Sequence, residues 1–140
     1  MKIAILEDNP GISDYMTVAL EMAGHHVQVF TDAANLLASL LPETTVPSEL
    51  PYDLITVDLL LPGALGGQEF IRRIRYTYPS HRLPLIIISA AVPSFLGPLR
   101  DTFPQIPILQ KPFQKKHLFQ LLEEMKPGED QAEQLEPGAI

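Results

Sequence analysis

Four short apolar runs, each delivering a chemically loaded residue at its carboxyl end, constrain this chain more than any other feature. Ile3-Ala4-Ile5-Leu6 leads into Glu7-Asp8, Leu54-Ile55-Thr56-Val57 into Asp58, Leu85-Ile86-Ile87-Ile88 into Ser89, and Ile108-Leu109-Gln110 into Lys111-Pro112. Brief unbroken runs of this kind read as strands buried on both faces, as in a parallel sheet. Asp58 is the only acidic residue between Asp53 and Glu69. Open α/β sheets place their ligands at the carboxyl ends of the strands, so Glu7, Asp8, Asp58, Ser89 and Lys111 are expected to share one edge.

Between the runs the period changes from strand-like to helical. Asn9-Pro10 is a helix start, and Ile12, Tyr15, Met16, Ala19, Leu20 and Ala23 recur at helical spacing until Gly24. Val27 and Val29 alternate with His26, Gln28 and Phe30 as a shorter, edge-like strand. Thr31-Asp32 offers an N-cap to a helix through Leu36, Leu37, Leu40 and Leu41 that Pro42 ends. Residues 42–51 read as a loop, and Pro62 to Gly67 as a turn whose glycines permit unusual backbone angles. Gln68 to Tyr78 is the next helix, with Phe70, Ile71 and Ile74 inward and Arg72, Arg73 and Arg75 on a solvated face. Pro93, Gly97 and Pro98 predict one or two irregular turns in place of a regular fourth helix. Lys115 to Met125 is a last amphipathic helix, and 127–140 an acidic, disordered tail. Five βα units with no solenoid repeat predict an α/β domain over 1–126, its sheet covered on both faces.

Composition narrows the functions. A formal net charge of −7 over 140 residues argues against direct nucleic-acid binding, which needs clustered Lys and Arg. The absence of cysteine excludes disulfides and thiolate chemistry and fits a reducing interior. No signal-peptide pattern opens the chain, and no apolar run nears the roughly 20 residues that span a bilayer. A cytoplasmic protein is the expectation. His25, His26, His81 and His117 show neither ligand spacing nor a nucleophile partner.

Glu7, Asp8 and Asp58 are oxygen donors without a His or Cys pattern, so the metal they suit is hard and octahedral, Mg²⁺ before Zn²⁺. Three clustered carboxylates repel one another unless a cation relieves them; Lys111 and a divalent ion would do so. An Asp so placed can attack phosphorus and hold the group as an acyl phosphate, a reaction that asks mainly for positioning and charge neutralisation. Singly, each residue has a plainer reading: Asp58 as a turn cap, Glu7-Asp8 as a helix-start pair, Ser89 as a strand terminus, Lys111 as a solvated lysine. Their joint order favours a site.

That order, Glu7-Asp8, then Asp58 with Pro62 four residues on, then Ser89-Ala90, then Lys111-Pro112-Phe113, resembles the receiver domain of bacterial two-component response regulators over roughly residues 1–126. The resemblance implies a flavodoxin-like, doubly wound five-stranded parallel sheet of strand order 2-1-3-4-5. It implies Asp58 as phosphoacceptor, Asp8 as a direct Mg²⁺ ligand with Glu7 assisting, and the Leu60 backbone carbonyl as a further ligand. Ser89 would bond the phosphoryl oxygens, Lys111 would neutralise them, and Pro112 would follow a cis peptide bond. The implied partners are a sensor histidine kinase or phosphotransfer protein, and a downstream effector or output domain; a homodimer is compatible, and a membrane role is not implied.

Three departures stand out. Ile108 occupies the place of the usual switch aromatic, the fourth-helix region is proline-broken, and the loop after Asp58 is one residue longer than usual. An alternative is therefore a phosphorylation-independent pseudo-receiver serving as a constitutive interaction module. A phosphatase with an aspartyl intermediate would want a second Asp two residues after the nucleophile, where Leu60 stands, so the domain is not expected to be an enzyme. Apolar Leu60 and Ala91 near the route of attacking water predict slow loss of phosphate. The chain also reads as one that a longer output protein could carry as its regulatory part.

Overall fold

The computed structural model describes residues 1–41, 49–61, 63, 65–90 and 93–125. Five strands and five helices alternate: β1 (Lys2–Leu6), α1 (Pro10–Met22), β2 (His26–Phe30), α2 (Ala33–Leu40), β3 (Leu54–Val57), α3 (Gly67–Thr77), β4 (Leu85–Ser89), α4 (Pro93–Thr102), β5 (Ile108–Gln110) and α5 (Lys115–Glu124). The strands form one sheet in the order β2-β1-β3-β4-β5, with every pair parallel. This is the doubly wound, flavodoxin-like fold that the resemblance implied.

The strand period of two sends alternate side chains to opposite faces. Ala4, Leu6, Ile55, Val57, Leu85 and Ile87 pack on one side with Leu36, Phe70, Ile71, Ile74, Leu96 and Leu99 of α2, α3 and α4. Ile3, Ile5, Leu54, Ile86 and Ile88 pack on the other with Met16, Leu20, Leu118 and Leu122 of α1 and α5. A fully buried aliphatic side chain contributes about 1.5–3 kcal/mol, so the central strands, buried along both faces, anchor the molecule. The edge strand β2 is only partly covered, as its alternation foretold.

The helix starts are local and chemical. Asn9 accepts the Ile12 N–H at 3.2 Å with Pro10 opening α1, and Asp32 accepts the Ala34 N–H at 2.6 Å to open α2. Each satisfies a donor that the first helical turn leaves orphaned. At the other end of α1, Gly24 takes φ +94°; its N–H bonds Glu21 O at 3.0 Å while the His25 N–H bonds Leu20 O at 3.0 Å, the left-handed glycine stop.

The structure corrects two expectations here. Residues 93–102 form a regular ten-residue helix with Pro98 inside it, where irregular turns were expected. Pro93 stands at the first helical position, where a missing N–H costs nothing, and Leu96 and Leu99 bury against the sheet, outweighing the proline. Arg75 is not on a solvated face: its Nη1 donates to Tyr78 O at 3.1 Å and Leu83 O at 2.8 Å, and burial lowers its pKa to about 10. It ties the end of α3 to the approach of β4. Arg72 and Arg73 are exposed and pair with Glu69. The expected tail, 127–140, most of the loop from Pro42, and Ala91 lie outside the described residues.

Candidate functional site

Parallel register brings the loaded residues together. Each follows or ends a strand at the same edge of the sheet, and backbone bonds continue the ladder past the strands: Asp58 N–H to Leu6 O at 3.0 Å, Glu7 N–H to Phe30 O at 2.9 Å and Lys111 N–H to Ser89 O at 2.9 Å. Residues 53 and 104 positions apart thereby meet: Lys111 Nζ lies 2.6 Å from Glu7 Oε1 and 3.2 Å from Asp58 Oδ2. The peptide bond between Lys111 and Pro112 is cis.

Every oxygen of the inner two carboxylates is engaged. Glu7 Oε2 accepts the Asn9 N–H at 3.2 Å, and Asp58 Oδ1 accepts the Leu60 N–H at 3.1 Å. Glu7, Asp58 and Ser89 are 2%, 5% and 0% exposed, whereas Asp8 faces solvent. Burial in the main, with Asp58 close by, pushes the Glu7 carboxyl above its usual 4.5 against the opposing pull of the Lys111 hydrogen bond. Burial draws the Lys111 ammonium down, but its bond to Glu7 and the charges of Asp58 and Glu7 prevail and hold it above 10.5. Both directions describe one shortage: one amine serves two buried acids beside a third.

Glu7, Asp8 and Asp58 each offer a carboxylate oxygen within 4.8 Å of the others. An all-oxygen set of this charge fits a hard divalent cation, and receiver domains bind Mg²⁺ at such an acidic cluster. Of the residues singled out from the sequence, Glu7, Asp8, Asp58 and Lys111 converge; Ser89 ends the neighbouring strand, fully buried, and Leu60, two residues after Asp58, is 57% exposed.

Two contributors were not anticipated. The sequence marks Asn9 as a helix start alone, yet its backbone N–H also orients Glu7. By sequence Gly67 is one of several turn glycines suited to unusual backbone angles; in the structure its importance is space. A Cβ there would lie 2.3 Å from Asp58 O and 2.8 Å from Leu59 Cα, so only glycine lets α3 begin against the backbone that carries Asp58. Among the described residues of this loop, the left-handed angle belongs to Gly63, at φ +96°. The signal that could have shown this was the paired Gly66-Gly67 at the start of a helical period, where one glycine suffices for a cap.

Comparisons with known proteins agree with the geometry. Residues 3–123 match the response regulator receiver domain family. The chain is 30% identical over 124 residues to the response regulator receiver protein CpdR of Brucella abortus, covering 89% of this chain and 95% of that one. It is 32% identical over 100 residues to the DNA-binding dual master transcriptional regulator RpaA of Synechocystis sp., covering 71% of this chain but 36% of the relative; the chain thus spans about a third of that regulator's length. Among solved structures, the fold matches a CheY-like receiver domain protein from Methanospirillum hungatei (TM-score 0.72, 20% identity, 88% and 90% of the two chains). It also matches the BeF3-activated receiver domain of RstA from Klebsiella pneumoniae (TM-score 0.74, 18% identity, 91% and 100%). The chain belongs to the response regulator receiver domain family of two-component signalling.

Proposed function

We propose that Asp58 accepts a phosphoryl group from a histidine kinase or phosphotransfer protein and that the domain signals through an altered protein-binding surface. The observation carrying this reading is the convergence of Lys111 on Asp58 and Glu7, with Ser89 buried at the next strand end. Asp58 Oδ attacks phosphorus, and the donor leaves from the opposite side. Lys111 and the hydroxyl of Ser89 are the groups at hand to balance the phosphoryl oxygens, and the Leu60 N–H keeps the carboxylate aimed. Asp8, Glu7, Asp58 and the Leu60 carbonyl would hold Mg²⁺. When bound, the ion neutralises charge on the transferring group. The new charge must bias a two-state element to be read elsewhere; with Ile108 half-buried against the core in place of a rotating aromatic, the read-out rests on another device. Kinase, effector and a cytoplasmic setting belong to this reading; among the described residues no helix is long and apolar enough to cross a membrane.

Acetyl phosphate with Mg²⁺ tests it. Hydroxylamine-labile label on the parent protein, lost in Asp58→Asn, is the expected result; equal label in both proteins rejects it. A constitutive interaction module would instead show no metal affinity and the same partners with and without the phosphodonor.

A further inference from the structure

Beside the acceptor site opens a cavity of about 470 Å³, walled by Gly11, Ile12 and Tyr15 of α1, by Ala90 after β4, and by Pro112 and Phe113 after β5. Lys111 lines it as well, and the same residue reaches the acceptor carboxylate, its Nζ 3.2 Å from Asp58 Oδ2. Ala90 directly follows buried Ser89, and Pro112 directly follows Lys111, so the cavity is bounded by the residues next to two of the site's strand-end groups. Its surface is mostly apolar. Tyr15 and Phe113 meet edge to face, their centroids 6.1 Å apart and their planes at 64°, and Tyr15 stays 44% exposed. An aromatic pair left open to water beside a charged reaction centre gains by covering apolar surface.

We propose that this cavity seats the leaving group of a small acyl phosphate whose acyl group is apolar, so that such compounds donate to Asp58 in preference to acetyl phosphate. The inference rests on the reading of Asp58 as acceptor. In the step, an Asp58 carboxylate oxygen forms a bond to phosphorus, the bond from phosphorus to the acyl oxygen breaks, and its electron pair leaves with the released carboxylate. No proton or further reactant is needed. Displacement at phosphorus is in line, so the acyl body leaves on the side of phosphorus away from Asp58; Ala90 and Pro112, the residues that follow Ser89 and Lys111, are cavity walls that it can cover. The methyl of an acetyl group is too small to cover them.

The experiment compares initial rates of labelling by benzoyl phosphate and acetyl phosphate, each with Mg²⁺, in the parent protein, Tyr15→Ala and Phe113→Ala. Partial burial of one ring corresponds to a benzoyl-to-acetyl rate ratio of about five to ten in the parent, falling toward one in both variants. Labelling by acetyl phosphate in each variant reports that its acceptor site is folded. A parent ratio of one or below overturns the inference while leaving Asp58 an acceptor. A ratio that neither variant moves also overturns it, assigning the cavity to another occupant such as a partner's side chain. No labelling by either donor overturns the acceptor reading itself.

Discussion

At the scale of single residues, the site is a small excess of negative charge around one ammonium. Glu7 has its pKa raised by burial. A carboxyl raised in the fold binds its proton more readily there than in the unfolded chain, so this group adds stability as pH falls from its folded pKa toward 4.5 and subtracts it at neutral pH. The same proton competes with a metal. Mg²⁺ affinity followed by titration calorimetry should therefore start to fall, on acidification, at a pH above 4.5; affinity constant down to 4.5 would place Glu7 outside the metal site. Gly67 gives a sharper geometric test. Gly67→Ala must displace backbone at Asp58 and Leu59, a cost of about 1–3 kcal/mol, and should slow labelling of Asp58. Gly66→Ala, which meets open space, should cost only a few tenths of that scale, roughly 0.5 kcal/mol. Urea melts of the two variants decide; equal losses would mean the clash is relieved elsewhere.

At the scale of elements, buried polar contacts fix how helices sit on the sheet. The Tyr78 hydroxyl donates to Leu40 O at 2.7 Å, joining the end of α3 to the last turn of α2. Tyr78→Phe leaves that carbonyl without its donor in a dry place and should lower stability by about 1–2 kcal/mol, measured as a lower urea midpoint with an unchanged slope. In α4, Pro98 removes one backbone bond and crowds the preceding turn. Since the helix forms regardless and Pro98 is exposed, Pro98→Ala should raise stability by about 1–2 kcal/mol. A loss would show that the proline shapes α4 for some other purpose. Helix α4 shows where local reading failed: Pro93, Gly97 and Pro98 are strong breakers taken alone, and only the burial of Leu96 and Leu99 against distant strands tips the balance.

At the scale of the whole molecule, metal binding and folding are linked. A ligand held by the native state alone stabilises it by about 2.7 kcal/mol at one hundred times its dissociation constant, so Mg²⁺ should raise the thermal midpoint of the parent protein. Asp8→Asn should abolish that rise while leaving the metal-free midpoint near or above the parent's, because it removes one like charge from the cluster. A rise of equal size in both proteins would move the metal elsewhere.

Much of this architecture is written locally. Runs buried on both faces name the central strands, the 3.6-residue period names α1, α3 and α5, and Asn9, Asp32 and Gly24 mark helix ends through bonds that reach only a few residues. Strand-end chemistry follows from the same runs, which is why Glu7, Asp8, Asp58, Ser89 and Lys111 stand out in the sequence itself. Contacts between distant segments had no such local trace. That Lys111 serves Glu7 as well as Asp58, that Arg75 turns inward to two carbonyls, and that Gly67 is needed for room are facts of close approach. The chain's periodicity sets which face a residue takes, but only packing in three dimensions sets what stands opposite it and how near.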